Sequence, residues 1–132
     1  MTPRSKAITT LQKLRRLQEA DYNGYCSCAS CGLKFHWKEL DGGHFLPKGN
    51  SSFHALNPDN IWPQCKYCNN WGMRHGIAAQ QYTLFMEEKF GKEFVREMID
   101  TKGQVKKISK VEYQEMIDKW KAEIKEHLER VG

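Results

Sequence analysis

The sequence predicts an α+β fold: a small strand–loop–strand–helix unit stapled by paired cysteines, with a helix before it and a helical extension after it. Three observations carry this. First, Cys28-Ala29-Ser30-Cys31 and Cys65-Lys66-Tyr67-Cys68 form two Cys-x-x-Cys knuckles, which can supply four thiolates to one tetrahedral zinc. Second, apolar residues recur at helical spacing on both sides of this stretch, while the stretch itself reads as short strands and polar loops. Third, the 132 residues suit one domain, yet only 39% are apolar, so the core needs a staple that a structural zinc supplies. The expectation is one domain over 1–132, made of a basic N-terminal helix (1–25), a zinc-stapled core (26–76) and a helical extension (77–132).

Pro3 to about Asp21 reads as a helix, with Ile8, Leu11, Leu14 and Leu17 on one face and Gly24 past its end. Arg4, Lys6, Lys13, Arg15 and Arg16 decorate it. It is a packing helix with a solvated basic face, and such a face is also compatible with contacts to phosphates. Tyr25 to Gly32 holds the first knuckle. Cys26 stands out of phase with it and reads as a free, packed thiol.

Leu33 to Phe45 has strand-like stretches broken by Gly42-Gly43, where paired glycines suggest a bend or a close backbone approach. Lys48 to Asn57 is a polar loop, and Asn60 to Pro63 a short returning strand. The second knuckle leads into a helix that begins near Cys68. Ile77 to Phe90 is helical, with Tyr82, Phe85, Met86 and Phe90 on one side and Gly91 as its break. Lys92 to Asp100 forms another short helix, carrying Phe94, Val95, Met98 and Ile99. Thr101 to Lys110 is a basic linker. Ser109 and Glu112 make a capping box for a last helix striped by Tyr113, Ile117, Trp120, Ile124 and Val131.

Charge and composition narrow the function classes. The net charge is +5, and its excess sits on and before the cysteine-rich stretch: residues 1–25 hold five Lys/Arg against two Asp/Glu, while residues 77–132 balance. A polyanion near that stretch is the favoured partner. The start of the chain is charged with no apolar run behind it, and no stretch approaches the ~20 apolar residues that span a bilayer. A soluble intracellular protein is expected, and in a reducing compartment paired cysteines favour metal over disulfide.

The polar residues between the knuckles are of the types that move a proton or bind a hard cation. A phosphodiesterase needs a base for water and a cation for phosphate charge. His44 is the best base, because a neutral imidazole accepts a proton near pH 7. Asp41 and Asn69 offer oxygens that suit magnesium, and His75 is a further candidate ligand. On an ideal helix Asn69 and His75 share a face poorly, unless Gly72 breaks it. His36, His54 and His127 read as structural. Arg15 and Arg16, with Lys34, Lys38, Lys48, Lys66 and Arg74, are the candidate phosphate contacts.

Taken together, Cys28-Ala29-Ser30-Cys31-Gly32, Asp41-Gly42-Gly43-His44-Phe45, Asn60-Ile61, Gln64-Cys65 and Cys68-Asn69 resemble the HNH (ββα-metal) endonucleases. More closely they resemble the phage lambda NinG/Rap recombination nucleases, and that likeness extends from Pro3-Arg4-Ser5 through Phe90-Gly91 into the last helix. The resemblance implies a zinc-stapled ββα-metal core and a structure-specific endonuclease acting on branched DNA such as Holliday junctions and D-loops. It implies a phage protein working in the host cytoplasm. His44 would be the general base, Asn69 a ligand of a catalytic magnesium or manganese, and Asn60 the brace that orients the base. Many HNH enzymes place a metal-binding Asp directly before the base; here Gly43 stands there, and Asp41 is the nearest acid. Symmetric cutting of a junction needs two sites, so a homodimer paired through the last helix is expected; the alternative is that its stripe packs back on the domain. Two rival functions explain much of the same sequence: a zinc-stapled DNA-binding module without catalysis, and an HNH nicking or homing enzyme that reads duplex sequence.

Overall fold

The computed structural model describes residues 1–131. It is a mixed fold of helices and two small sheets. Helix α1 spans Pro3–Glu19. Thr2 caps it by accepting from the Ser5 N–H, and Pro3 fills the first turn, where no N–H is needed. Strands β1 (Tyr25–Ser27) and β2 (Lys34–His36) form one antiparallel hairpin around the first knuckle. Strands β3 (Leu40–His44) and β4 (Ile61–Cys65) form a second one, pairing Asp41 with Gln64 and His44 with Ile61.

Behind β4 the chain makes a widened π-helical turn over Cys68–Gly72 that runs into the short helix α2 (Met73–His75). Helices α3 (Ala78–Phe90) and α4 (Lys92–Asp100) follow, separated by Gly91 at φ +90°, a backbone region that favours glycine. The last helix, α5 (Lys110–Arg130), begins at the full Ser109/Glu112 capping box. Among the described residues no helix is long and apolar enough to cross a membrane.

Two apolar clusters hold these elements. Leu11, Leu14 and Leu17 of α1 pack with Ile117, Trp120 and Ile124 of α5, over Leu40 and Ile61 of the second hairpin. The apolar stripe of α5 is therefore covered by α1 of the same chain, and it is not free to pair with a copy. Arg130 locks this arrangement by donating to the carbonyls of Leu17 and Ala20, where a cation also meets the negative end of α1. The second cluster joins Phe45 and Trp62 to Tyr82, Met86, Val95 and Met98 of α3 and α4.

Gly42-Gly43 does not break its strand: β3 runs straight through both glycines. Their role is close approach. A Cβ on Gly42 would stand 2.7 Å from Cβ and 2.8 Å from Cα of Gln12, and one on Gly43 would collide with the Gln64 side-chain oxygen. The loop between β3 and β4 is less open than its composition suggests. Ser51 and His54 are buried, and His54 Nε2 lies 3.1 Å from the Thr101 hydroxyl. His36 and His127 are likewise engaged locally, with Lys38 N–H and Arg130 respectively.

Candidate metal centre and polar site

The four knuckle cysteines converge. Their sulfurs lie within 4.8 Å of one another, and Cys31 Sγ to Cys65 Sγ is 3.9 Å. A tetrahedral zinc with ~2.3 Å bonds places its sulfurs about 3.8 Å apart, so the donor set and its spacing fit that ion. Each knuckle turns a backbone N–H back on its first sulfur, Cys31 N–H to Cys28 Sγ and Cys68 N–H to Cys65 Sγ, both at 3.5 Å. Burial raises the Cys28 thiol, but surrounding N–H groups more than offset it and leave Cys28 below the ordinary thiol range. Four thiolates close the coordination sphere, which makes this a structural centre. Cys26 is not part of it. Its thiol is buried near the Arg16 carbonyl and is pushed up to about 11 by that burial.

The zinc frame fixes the hairpin–helix unit that carries the polar residues. The Ala29 N–H donates to the Pro63 carbonyl, tying the first knuckle to β4. The turn after Cys68 brings Asn69 to Asp41: Asn69 Nδ2 donates to Asp41 Oδ2 at 3.0 Å, and Lys66 Nζ donates to Oδ1 at 2.8 Å. Burial raises the Asp41 carboxyl, and the bonds from Lys66 and Asn69 outweigh it, holding the group below its usual range. A cavity of about 300 Å³ opens here, lined by Thr9, Gln12 and Arg16 of α1 together with Asp41, Lys66 and Asn69. Its donors fit a hard cation in part. A carboxylate and an amide are the oxygen types magnesium takes, with waters and phosphate completing the shell. Asn69 would have to turn its amide to present oxygen, and Lys66 would have to withdraw.

His44 stands apart from that pair. Asp41 and His44 lie three residues apart along β3. The two Cα atoms are thus about 10 Å apart along the strand. His44 Nε2 lies 3.0 Å from the Ala55 carbonyl. A carbonyl only accepts, so Nε2 carries the proton and Nδ1 keeps its lone pair. Burial pushes the imidazole down to about 4, with Lys48 and Arg4 adding to the shift. Asn60 is fully buried and ties the intervening loop: its oxygen accepts from Leu46 N–H, and its nitrogen donates to the carbonyls of Leu46 and His54. The carbonyl that holds His44 is the next one along.

Other expected site residues fall elsewhere. His75 is exposed, with its ring against Trp71, and it does not line the Asp41 cavity. The turn at Gly72 does not bring it onto the face of Asn69. Arg15 and Arg16 are not free cations. Arg15 donates to the carbonyls of Ile61 and Pro58 while lying 3.9 Å over the Trp62 ring. Arg16 donates to the carbonyls of Gln12, Trp37 and Leu40. Desolvation lowers both guanidinium groups. Lys34, Lys38, Lys48 and Arg74 are exposed.

Two residues outside the expected set bond β3, and two more brace its surroundings. Gln12 Nε2 donates to the Gly42 carbonyl. Tyr82, fully buried, donates to the Gly43 carbonyl and accepts from the Trp62 N–H. Gln64 donates to Ser30, while its buried oxygen has no hydrogen-bond partner among the described residues and faces Gly43. Arg4 donates to the Lys48 carbonyl beside His44. Of these, Arg4 and Gln64 stood in the motifs Pro3-Arg4-Ser5 and Gln64-Cys65 and Tyr82 on the apolar side of α3, while Gln12 had no signal in the sequence.

A family model described as Bacteriophage Lambda NinG protein matches residues 2–130 of the chain. No curated protein and no solved structure matches it.

Proposed function

The chain belongs to the bacteriophage lambda NinG family, a membership that points to a role in phage recombination, and on that premise we propose that it is a metal-dependent, structure-specific DNA endonuclease built on a ββα-metal (HNH) core. The observation that supports this most directly is His44. It is an uncharged imidazole whose tautomer is set by the Ala55 carbonyl, with a free lone pair and with Arg4 and Lys48 close by. In this reading Nδ1 takes the proton of the attacking water, and the Ala55 carbonyl holds the imidazolium that forms. Arg4 and Lys48 depress the basicity of the empty site; a bound phosphate offsets their charge and raises it when substrate arrives.

Asn60 keeps the loop, and hence Ala55, in register with β3. Asp41 and Asn69 would hold a magnesium or manganese ion, which supplies charge stabilisation to the phosphate and the leaving oxygen. Lys48 and Arg74 contact the DNA backbone, and Lys66 joins them once released from Asp41. A backbone-reading surface favours substrate shape over base sequence, which is why branched DNA is the proposed substrate. A homodimer would set two sites on one junction, through a surface other than the α5 stripe.

One observation favours the non-catalytic reading: Lys66 and Asn69 already satisfy both oxygens of Asp41. Incubating the zinc-loaded protein with a labelled four-way junction and with linear duplex, with and without magnesium, separates the readings. Junction cleavage that requires magnesium is expected. Binding without cleavage of either DNA leaves a zinc-stapled binding module, and preference for particular linear sequences leaves a nicking or homing enzyme.

A further inference from the structure

Three exposed rings form a ladder on the helical run that follows β4. Tyr67 and Trp71 have centroids 5.5 Å apart, and Trp71 and His75 also 5.5 Å. Tyr67 is 63% exposed and Trp71 52%. Large aromatics normally bury that area, so a solvated ladder calls for a ligand with a flat apolar face. The run from Lys66 to His75 carries Lys66 and Arg74 and no acid. Asn69, in the same run, reaches the opposite way to Asp41. The widened turn over Cys68–Gly72 keeps Cys68 in the zinc centre and Asn69 on Asp41 while Trp71 is left in solvent; π turns of this kind recur at functional sites.

We propose that Tyr67, Trp71 and His75 form a stacking platform for the unpaired bases of a DNA strand. The geometry suits single-stranded nucleic acid better than a protein partner: every base offers a π-face to a ring, and Arg74, with Lys66 once released from Asp41, meets the phosphates that run beside the bases. The platform adjoins the Asp41–Asn69 cavity through a shared turn. It thus deepens the nuclease reading and rests on it for the strand's path: bases splayed at a branch point lie on the rings while their phosphates pass the polar site. This gives a physical means of preferring branched over continuous duplex DNA, whose bases are stacked on each other and unavailable.

The test is equilibrium binding, by fluorescence anisotropy, of the zinc-loaded full chain to a labelled single-stranded oligonucleotide and to a blunt duplex of equal length, without magnesium. Trp71→Ala weakens single-strand binding about ten-fold or more and duplex binding less than about two-fold. Trp71→Phe retains most of the affinity. Zinc content and thermal melting establish that each variant is folded. Should Trp71→Ala fail to fold, Tyr67→Ala carries the same readout from a more exposed position. An unchanged single-strand affinity overturns the platform, and so does an equal loss on both DNAs. A variant that binds DNA normally but loses self-association in sedimentation makes this face a protein interface and also overturns it. Failure of the wild-type protein to cleave any DNA sinks the nuclease reading while leaving the binding contrast intact, so the two failures are distinguishable.

Discussion

Replacing Gly42 with alanine tests whether α1 and β3 pack as closely as the site requires. The added methyl would meet Cβ of Gln12 at 2.7 Å and its Cα at 2.8 Å. These atoms belong to the helix itself rather than to a flexible tip, so relief requires α1 to shift as a body. Overpacking of this kind costs about 1–3 kcal/mol. The shift also stretches the 2.8 Å bond from Gln12 Nε2 to the Gly42 carbonyl, whose loss costs about 1 kcal/mol. Against these, removing a glycine from the unfolded chain stabilises by about 0.4–1 kcal/mol. The balance is a loss of about 2 kcal/mol, or a fall of roughly 6–10 °C in Tm for a chain of this size. Circular dichroism melts with matched urea titrations measure it. Gly49→Ala, where nothing among the described residues lies within 4 Å of the added methyl, is the control and shows only the unfolded-chain gain of about 0.4–1 kcal/mol. A Gly42→Ala protein that melts within about 2 °C of the wild type would refute the close packing of helix and strand.

Cys65→Ser removes one of four thiolates, and the domain is expected to lose zinc and unfold at 25 °C; a zinc-free variant that melts like the wild type excludes the structural role. His44→Ala keeps zinc and junction affinity but abolishes cleavage, and residual cutting near the wild-type rate rules His44 out as the base. The buried imidazole also predicts a pH effect. Its folded pKa of about 4 lies below the ordinary histidine value of about 6.5, so the unfolded chain binds more protons in between. Stability is therefore full above pH 6.5 and falls as pH drops toward 4, by about 3 kcal/mol from this group; the slope between those values flattens in His44→Ala. Asp41→Ala breaks a pair whose Lys66 side chain is 64% exposed, so stability changes by less than about 1 kcal/mol. Magnesium-dependent cleavage is lost all the same, and a variant that cleaves normally removes Asp41 from the site.

The cysteine frame was legible because Cys-x-x-Cys spacing states its own geometry: each knuckle turns an N–H back on its first sulfur whatever surrounds it. Helices α1, α3, α4 and α5 followed from apolar spacing. The partner of a stripe does not follow, since Ile117, Trp120 and Ile124 repeat identically whether they face α1 or a second copy. Arg15 and Arg16 look like surface cations because sequence counts charge and not acceptors, and here the carbonyls of Pro58 and Ile61, and of Gln12, Trp37 and Leu40, accept their hydrogen bonds. Gln12, Tyr82 and Gln64 hold β3 through bonds to its backbone and to Ser30, interactions that leave no periodic trace. Gly43 is the instructive case. The HNH resemblance implies an acid directly before His44, and the Gln64 oxygen fills the space that any side chain there would need. The acid in this neighbourhood stands two residues earlier, at Asp41, with Asn69 turned toward it. The widened turn after Cys68 was hidden too, because residue spacing cannot report a local change in helix pitch.

The bonds from Arg130 to Leu17 and Ala20 span 113 and 110 residues, and that separation dictates an order of events during synthesis. At about 5–20 residues per second, α1 leaves the ribosome roughly 5–20 s before the helix that covers it. Throughout that interval the Leu11, Leu14 and Leu17 face lacks its α5 partner. The four knuckle cysteines and both hairpins are synthesised far earlier, so the metal centre's residues are all available before α5 can close over α1. The nascent chain passes through a stage with the polar site already synthesised and one apolar flank still uncovered, the stage at which a chaperone or an early aggregate would engage it.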